Sequence, residues 1–350
     1  MEWAELNYSK KQVRKAGGFL SRKYSTPSDL DEYINKYLFN YNIFSNWRAA
    51  HAYPMQSMLM YFRKHALNVD ESSIIAQRLK RAPSIISKLS REQGMNLDRM
   101  EDIAGCRIIV KTISDVYKTR DMIINGRTRN ILHRERDYIA NPKASGYRGI
   151  HLVYKYNGKK TNYSGLAVEL QIRSKVQHSW ATAVEVVGAF TGQALKASQG
   201  ASEWLEFFQL ASIAFSKIEN KKLTIDYSDS EHQKLILLSK KLDVLSKIRA
   251  FAVSTNKLSN NKRKGDDYFL LKLDTEKSII SLKSYASSEL DQATSHYSEI
   301  EREVKDKKHI DVVLVSTKSI HSLKKAYPNY FADTSEFSKF LSKATDGGNI

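Results

Sequence analysis

The clearest periodic pattern in the sequence is the stretch "GLAVELQIRS". Apolar residues occupy every second position there and alternate with small or polar ones: Leu166, Val168, Leu170 and Ile172 against Ala167, Glu169, Gln171 and Arg173. A period of two predicts a β-strand, in which residues two apart lie on the same face, about 7 Å from each other. Glu169, Gln171 and Arg173 are therefore expected to share one face of this strand.

Other segments show helical or strand-like patterns in a mixed order. Helical spacing prevails over residues 1–70, as in "DLDEYINKYLFNYNIF". Strands are predicted at "SSIIAQRLK", "GCRIIVKT", "ILHRERDYI" and "GIHLVYKY", and helices at "APSIISKLSREQG", "SDVYKTRDMIIN", "KVQHSWATAVEVVGAF" and "SEWLEFFQLASIAFSKIE". Pro83 suits the first position of its helix, and Gly94 suits the end. The pattern predicts an α+β fold over residues 1–225, with a mixed β-sheet flanked by helices.

The remaining residues are predicted to form a linker and a second, smaller domain. Residues 226–265 have the pattern of an amphipathic helix followed by the polar break "NNKRKGDD". Residues 266–350 show a ββαβα order: a hairpin in "YFLLKLDTEKSIISLKSY", a helix in "SSELDQATSHYSEIEREVKD", a strand in "IDVVLVST" and a helical segment interrupted at Pro328.

Composition narrows the class of protein. The 350 residues are 41% hydrophobic, enough for a sizeable core, and carry a formal net charge of +18 that lies mostly in the first 230 residues. A balance this basic favours polyanionic partners such as nucleic acids or nucleotides. Cys106 is the single cysteine, which excludes an intrachain disulfide and a Cys-rich zinc site. No apolar run is long enough for a membrane span or a signal peptide, so we expect a cytoplasmic protein.

The polar face of the "VELQIRS" strand has two interpretations. The ordinary one is a half-exposed antiparallel strand whose Glu169, Gln171 and Arg173 face solvent. The alternative is a functional site in which a carboxylate stands beside an anion-binding group on a rigid scaffold.

A second carboxylate, Asp102, precedes a buried strand in "RMEDIAGCRIIV". Mg²⁺ in proteins is commonly held by one or two carboxylates together with substrate phosphates. Asp102 and Glu169, on neighbouring strands, would supply that pair. The structural alternative is that Asp102 caps a turn and pairs with Arg107.

Two further stretches place cations where phosphate would bind. Arg78, Lys80, Ser84 and Lys88 stand at a strand end and along the first turns of a helix, whose N-terminus offers free N–H groups and the positive end of the dipole. An ordinary charged helix face explains the same residues.

The loop "NPKASGYRGIH" combines a stacking face with cations, through Lys143, Tyr147 and Arg148. Stacking of a base on an aromatic ring is worth about 1–3 kcal/mol. The alternative is a tyrosine that simply packs at a loop.

In their order along the chain, these motifs resemble the RelA/SpoT synthetase family of nucleotidyltransferases, which make (p)ppGpp. The resemblance rests on "RLKRAPSIISK", "DIAGCR", "DYIANPKASGYRGIH" and "VELQIRSKVQHSW", with Glu185 following on the helix, and covers about residues 75–190. It implies transfer of the β,γ-pyrophosphate of ATP to a ribose 3′-hydroxyl, with release of AMP.

The resemblance also implies a role for each matching residue. Glu169 would activate the hydroxyl or help to bind metal, Asp102 would bind Mg²⁺, and Tyr147 would stack on the acceptor base. The other residues implied for substrate binding are Arg78, Lys80, Ser84, Lys88 and Arg107 for ATP, and Lys143, Arg148, His151, Gln171 and Arg173 for the acceptor.

The chain departs from the family pattern in two places. Long members have an upstream hydrolase domain with His and Asp metal ligands, but no His-Asp pair precedes "RLKRAP", so we expect a synthetase without its own hydrolase. The loop has Ser145 where the family usually has Asn, and Gly149 where it usually has Ser. These changes put guanine recognition in doubt.

The second domain resembles the fused antitoxin of CapRel-type antiphage proteins, a pseudo-zinc-finger without zinc ligands. The resemblance implies a toxin that pyrophosphorylates the 3′-CCA end of tRNA and blocks translation. It also implies that a Tyr-x-x-Tyr motif, here Tyr327 and Tyr330, blocks the ATP site until a phage protein binds, in known cases a major capsid protein. We expect ATP, the tRNA 3′ end and a phage capsid protein as partners, neither DNA nor membrane, and a monomeric state.

Two other functions stay open. One is a small alarmone synthetase that makes (p)ppGpp or a related nucleotide from ATP and GDP or GTP, and Ser145 and the second domain count against it. The other is a non-catalytic RNA-binding protein, and the retained Asp102 and Glu169 count against that.

Overall fold

The computed structural model describes most of the chain in several ranges. These are residues 3–22, 29–191, 195, 198–219, 227–248, 258–259, 266–274, 276–277, 279–304, 307, 310–316, 324 and 334–345. Tyr327, Pro328 and Tyr330 lie outside them. No helix within these ranges has the length and apolar character that a membrane span requires.

The described residues form helices and strands in the mixed order that the sequence predicts. The helices are α1 (Lys10–Leu20), α2 (Leu30–Ala50), α3 (Ala52–Val69), α4 (Ala82–Arg91), α5 (Ile113–Asn125), α6 (Lys175–Thr191), α7 (Ser202–Glu219), α8 (Asp229–Lys241), α9 (Leu290–Glu303) and α10 (Ser335–Thr345). The strands are β1 (Ile74–Leu79), β2 (Ala104–Val110), β3 (Ile131–Asp137), β4 (Ile150–Lys155), β5 (Ala167–Ser174), β6 (Leu258–Ser259), β7 (Asp266–Asp274), β8 (Ile279–Ala286) and β9 (Ile310–Ser316). The predicted mixed α+β fold is confirmed.

The strands form one mixed sheet in the order β3-β4-β5-β2-β1-β9-β7-β8-β6. Strand β5 is central, since it pairs in parallel with β2 and antiparallel with β4. All of its residues except Gln171 are buried. The expectation of a half-exposed antiparallel strand is therefore wrong. Its polar face is directed into a cavity rather than into solvent.

The C-terminal strands continue the sheet of the N-terminal part. Strand β9 pairs antiparallel with β1, with Gln77 opposite Ser316 and Arg78 opposite Val315. Apolar side chains from both parts bury each other along this join: Ala76, Phe269, Leu271, Leu273, Ile280, Leu282, Val313 and Val315. The ββαβα order of residues 266–350 is present. The boundaries at 225 and 265 and the pseudo-zinc-finger character of the module stay predictions.

A second hydrophobic core joins α6, α7, α8 and α10. Helix α8 ends at Lys241, earlier than the sequence pattern suggests, and Asp243 follows with a left-handed φ of 48°. The ring of Phe337 on α10 lies 5.2 Å from that of Phe215 and 6.1 Å from that of Phe208 on α7, measured between centroids. The predicted linker helix and the last helix are thus both part of this core.

A buried polar cluster connects α9 to the start of α4. Helix α4 has no side-chain cap of its own, and Pro83 is its second residue rather than the first as predicted. The Ala82 N–H donates to the Glu301 carboxylate over 2.8 Å. Arg48 donates to the Lys80 carbonyl over 2.6 Å and to the Tyr297 hydroxyl over 2.9 Å, and its guanidinium lies 3.8 Å from Glu301. Because these groups are almost fully buried, each depends on the others for hydrogen bonds.

Removing one member of this cluster is expected to destabilise the fold strongly. Glu301→Ala leaves the Arg48 charge and the Ala82 N–H without that partner, and breaking a buried ion pair typically costs about 3–5 kcal/mol. Chemical denaturation would measure this loss in the free energy of unfolding. Glu336→Ala, which removes the exposed partner of Lys339, is the control, with an expected loss of about 0–1 kcal/mol. Equal stability of the two variants would contradict the structural role of the cluster.

Candidate active site

Most of the predicted site residues line one cavity of about 280 Å³. It lies beside β1, β2 and β5, between α4, the loop of residues 141–149 and helices α6 and α7. The predicted residues that line it are Arg78, Lys80, Lys88, Asp102, Arg107, Lys143, Tyr147, His151, Glu169, Gln171 and Arg173. The sheet places these residues together because β2 and β5 run parallel, with Gly105 opposite Glu169.

Asp102 stands at one end of the cavity between two lysines. Its carboxylate lies 2.8 Å from the Lys80 ammonium and 3.1 Å from the Lys88 ammonium. Both lysines form ion pairs with Asp102, whose partner in the structural alternative is Arg107. Burial disfavours the charged form of Asp102, but the lysines more than compensate, so the pKa of Asp102 lies below its usual value.

Glu169 is one of five side chains that form a closed ring of hydrogen bonds. His151 Nδ1 lies 2.9 Å from one oxygen of its carboxylate, and the Gln171 amide donates to the other over 2.7 Å. Arg173 donates to the Gln171 carbonyl over 2.8 Å and to the Tyr147 hydroxyl over 3.1 Å. The ring closes between the Tyr147 hydroxyl and His151 Nε2, which are 2.6 Å apart. Strands β4 and β5 and the loop before β4 each contribute to it.

The directions of the two bonds made by His151 depend on its tautomer. Burial disfavours the charged form of Glu169, but His151, Gln171 and Lys80 outweigh it, so the pKa of Glu169 lies well below its usual range. Burial lowers the pKa of His151, against the opposing effect of Glu169. A neutral His151 then donates from Nδ1 to the carboxylate and accepts the Tyr147 proton at Nε2. Both paths thus run from the Arg173 guanidinium to the Glu169 carboxylate.

The half-buried ring of Tyr147 is surrounded by cations and aromatic edges. The Arg173 guanidinium carbon lies 5.0 Å from its centroid, and the Lys143 ammonium 5.2 Å. Tyr138 and His151 meet it edge to face at 5.7 and 5.4 Å. Lys143 is exposed and lies on the loop, whereas Arg173 is buried on β5.

Two predicted residues lie outside the cavity lining. Ser84 sits in the first turn of α4 but is not among the lining residues. Arg148 is buried on the other side of the loop, where it donates to the Ser212 hydroxyl over 3.3 Å and to the Ile139 carbonyl over 3.4 Å. It borders a second, much smaller cavity with Glu219, whose pKa burial raises to about 7. The geometry therefore does not bring Arg148 to the proposed acceptor.

Several lining residues were not predicted from the sequence. Arg136 and Tyr138 extend the polar side, and the Lys143 ammonium lies 4.5 Å from the Tyr138 ring. Apolar residues from α6, α7 and the segment between them form the opposite wall: Ala181, Val184, Leu195, Leu205 and Phe208, together with Trp180 of the predicted motif. Tyr138 stands next to the tyrosine loop in a recognisable stretch, "DYIANPK", whereas the apolar residues of α7 look like any helix core in sequence.

The donor set of the cavity fits Mg²⁺ in the presence of a phosphate ligand. Asp102 and Glu169 line the same cavity, and the charge of Glu169 acts on the Asp102 carboxyl. Within the described part of the chain, no group of three or more His, Cys, Asp or Glu side chains is arranged to hold a metal. Mg²⁺ does not require one, since it is usually bound through one or two carboxylates, water and substrate phosphates.

Comparison with known proteins gives matches in the same part of the chain. Residues 77–187 match the family model described as the region found in RelA / SpoT proteins. GTP pyrophosphokinase YjbM of Bacillus subtilis is 34% identical over 115 residues, which cover 31% of this chain and 52% of that protein. GTP pyrophosphokinase of Escherichia coli K12 is 34% identical over 101 residues, 29% of this chain and 12% of that protein.

The matches do not extend over whole proteins. The chain spans about half the length of the Bacillus relatives it matches. Among solved structures, small alarmone synthetase 1 of Bacillus subtilis bound to pppGpp is 26% identical, with a TM-score of 0.42 over 48% of this chain and 88% of that one. The chain therefore carries, over residues 77–187, a RelA/SpoT-type region whose relatives include GTP pyrophosphokinases.

Proposed function

We propose that this protein is an ATP-dependent pyrophosphotransferase that moves the β,γ-pyrophosphate of ATP to the 3′-hydroxyl of a ribonucleotide. The observation that carries the proposal is the cavity. In it, the hydrogen-bonded ring that contains Glu169 lies beside the cluster of Lys80, Asp102 and Lys88. The RelA/SpoT match over residues 77–187 and the names of the relatives support it.

The reaction asks little covalent chemistry of the protein. The acceptor 3′-oxygen attacks the β-phosphorus, the bond from that phosphorus to the oxygen bridging the α- and β-phosphates breaks, and AMP leaves with this oxygen. Positioning and charge neutralisation supply most of the catalysis in such transfers. Arg78, Lys80, Lys88 and Arg107 line the cavity where the triphosphate would lie. Mg²⁺ held at Asp102 would neutralise charge on the phosphate oxygens, which leaves Glu169 for the acceptor hydroxyl.

Glu169 orients the attacking hydroxyl and receives its proton. Each carboxylate oxygen already accepts one hydrogen bond, from His151 or Gln171, and keeps a second lone pair for the substrate. With its low pKa the carboxylate is a weak base in the free protein. An arriving triphosphate brings negative charge and attracts Lys80, and both effects raise the pKa of a neighbouring carboxyl.

The proposed acceptor is the 3′-CCA end of tRNA, so that transfer blocks translation in the cytoplasm. The net charge of +18 favours a polyanion. Exposed arginines support this choice. Arg134 on the edge strand β3 lies two residues from Arg136, which lines the cavity, and Arg127 and Arg129 are exposed in the turn before the strand. A single carboxylate, Glu101, lies within 3.4 Å of both His133 and Arg134, and at 4.0 Å from Arg136.

The second candidate function is synthesis of an alarmone from ATP and GDP or GTP. The names of the relatives favour it, since they are GTP pyrophosphokinases. The same ring and lysine cluster would serve both reactions, and only the acceptor differs. A non-catalytic RNA-binding protein is the outcome left if no acceptor is modified.

We also infer that the C-terminal part restrains the enzyme until a phage protein, such as a major capsid protein, binds to it. The support is that residues 266–345 contact the site region, through the pairing of β9 with β1 and the bond from Ala82 to Glu301. In this proposal Tyr327 and Tyr330 provide the block of the ATP site.

Glu169→Gln is expected to reduce pyrophosphate transfer by at least about 100-fold, since a positioned acid–base group contributes about 10²- to 10⁴-fold. The substitution also replaces one carboxylate oxygen by an NH₂ group, which would face the N–H of His151 or Gln171. Transfer from γ-³²P-ATP is measured together with the melting temperature. The control is Glu203→Gln, which alters an exposed carboxylate paired with Lys241. A folded Glu169→Gln protein with normal transfer would remove the catalytic role.

Tyr327→Ala combined with Tyr330→Ala is expected to raise transfer by the full chain in the absence of a phage protein and to make its expression toxic. The full chain is required because a truncation at residue 265 removes β9, the partner of β1. Cell growth and label transfer are compared with the unmodified chain. Unchanged growth and transfer would show that these tyrosines do not restrain the enzyme.

The acceptor is identified by offering deacylated tRNA, GDP or GTP with labelled ATP. If tRNA is the acceptor, replacing Arg127, Arg129 and Arg134 by Ala should raise its KM about 10-fold and lower the salt dependence by about one unit per lost phosphate contact. Lys234→Ala, Lys241→Ala and Lys339→Ala form the control, since these exposed lysines are paired with glutamates. Label on GDP or GTP alone would establish the alarmone synthetase, and tRNA binding without any label the RNA-binding protein.

A further inference from the structure

The loop that carries Tyr147 lies directly on helix α7. Within the loop, the Gly146 N–H donates to the Lys143 carbonyl over 2.8 Å, and the Lys143 N–H to the Tyr147 carbonyl over 3.2 Å. These bonds shape the turn. The Tyr147 hydroxyl ties the loop to His151 and Arg173, and two side chains of α7 bind its backbone carbonyls.

Gln209 and Ser212, three residues apart on α7, each donate to a loop carbonyl. The Gln209 amide donates to the Ala144 carbonyl over 2.5 Å, and the Ser212 hydroxyl to the Gly146 carbonyl over 2.5 Å. The spacing of three places both side chains on the same face of the helix. Ser212 also accepts a hydrogen bond from Arg148. Its hydroxyl therefore bonds to Gly146 and Arg148, the residues immediately before and after Tyr147.

Gly146 shows how closely the loop approaches the helix. Its φ of +88° lies in the left-handed region, and a Cβ there would stand 3.0 Å from the Ser212 Cβ and 3.2 Å from the Gln209 Cα. Any side chain at this position would therefore be strained and would push the loop away from α7. Glycine is required here for contact as well as for conformation.

Helix α7 is itself fixed by its surroundings. The Trp180 indole on α6 donates to the Phe208 carbonyl over 2.8 Å, and Phe337 of α10 packs on its other side. Leu205 and Phe208 of the same helix form part of the apolar cavity wall. Helix α7 lies beyond the residues matched to the RelA/SpoT model, which end at 187.

We propose that α7 positions the acceptor loop, with Gln209 and Ser212 as positioning residues that hold Tyr147 at the angle needed to stack on the acceptor base. Neither residue reaches the reacting atoms. They act through hydrogen bonds to the loop backbone. Arg148, which belongs to the loop, adds a hydrogen bond to Ser212. The statement about the acceptor rests on the proposed function, but the statement about the loop does not.

Two variants test the contact from opposite sides. Gln209→Ala with Ser212→Ala removes both donors, and Gly146→Ala separates the loop from the helix. Ser216→Ala is the control, because Ser216 is buried one turn further along α7 and donates to the Ile213 carbonyl. Hydrogen–deuterium exchange of the peptide covering residues 141–149 is measured in the full chain. We expect exchange to be about 10-fold faster in both test variants and unchanged in the control.

Kinetics then test the positioning role. We expect the KM of the acceptor to rise about 10-fold or more in both variants, with the KM of ATP close to that of the parent. The parent is the Tyr327→Ala/Tyr330→Ala chain if the unmodified chain is inactive. Unchanged exchange in the loop peptide would overturn the proposal, and so would faster exchange with an unchanged acceptor KM. If no chain transfers pyrophosphate, the proposed function fails, while the exchange result still decides the contact.

Discussion

The site depends on how a buried carboxylate and a buried guanidinium are kept charged without touching. Glu169 and Arg173 are 8% and 3% exposed, and an unpaired charge at such depth would be very costly. Two hydrogen-bonded paths join them, one through Gln171 and the other through Tyr147 and His151. Each of the five side chains in the ring bonds to two others. A closed polar network of this kind is rigid, because rotation of one side chain would leave its neighbours unpaired in a low-dielectric interior.

The ring forms only when three separate segments of the chain are held in their native positions. Glu169, Gln171 and Arg173 come from β5, His151 from β4, and Tyr147 from the loop that α7 holds. The lysines near Asp102 form the other end of the cavity, where they are paired with a carboxylate. In the proposed function they would exchange this carboxylate for phosphate oxygens, while the rigid ring would orient the acceptor.

The local patterns of the sequence were sufficient to locate β5, the strands around it and the residues on its polar face. They were not sufficient for pairings between distant segments. The parallel pairing of β5 with β2, which makes β5 an internal strand, is invisible to a period-two pattern. The lysine partners of Asp102, the outward turn of Arg148 and the pairing of β9 with β1 likewise depend on tertiary contacts. Helix α7 was predicted as a helix, but its contact with the tyrosine loop was not.

The C-terminal residues contact the elements that support each end of the cavity, at two separate places. Glu301 on α9 binds the first N–H of α4, the helix that carries Lys88, and Arg48 ties Tyr297 to the carbonyl of Lys80. Phe337 on α10 packs against Phe208 of α7, which supports the tyrosine loop. Because an interior this well packed shifts between discrete arrangements rather than deforming smoothly, movement of the C-terminal part would alter the triphosphate end and the acceptor end together. A partner that binds there would need only to favour one arrangement over the other.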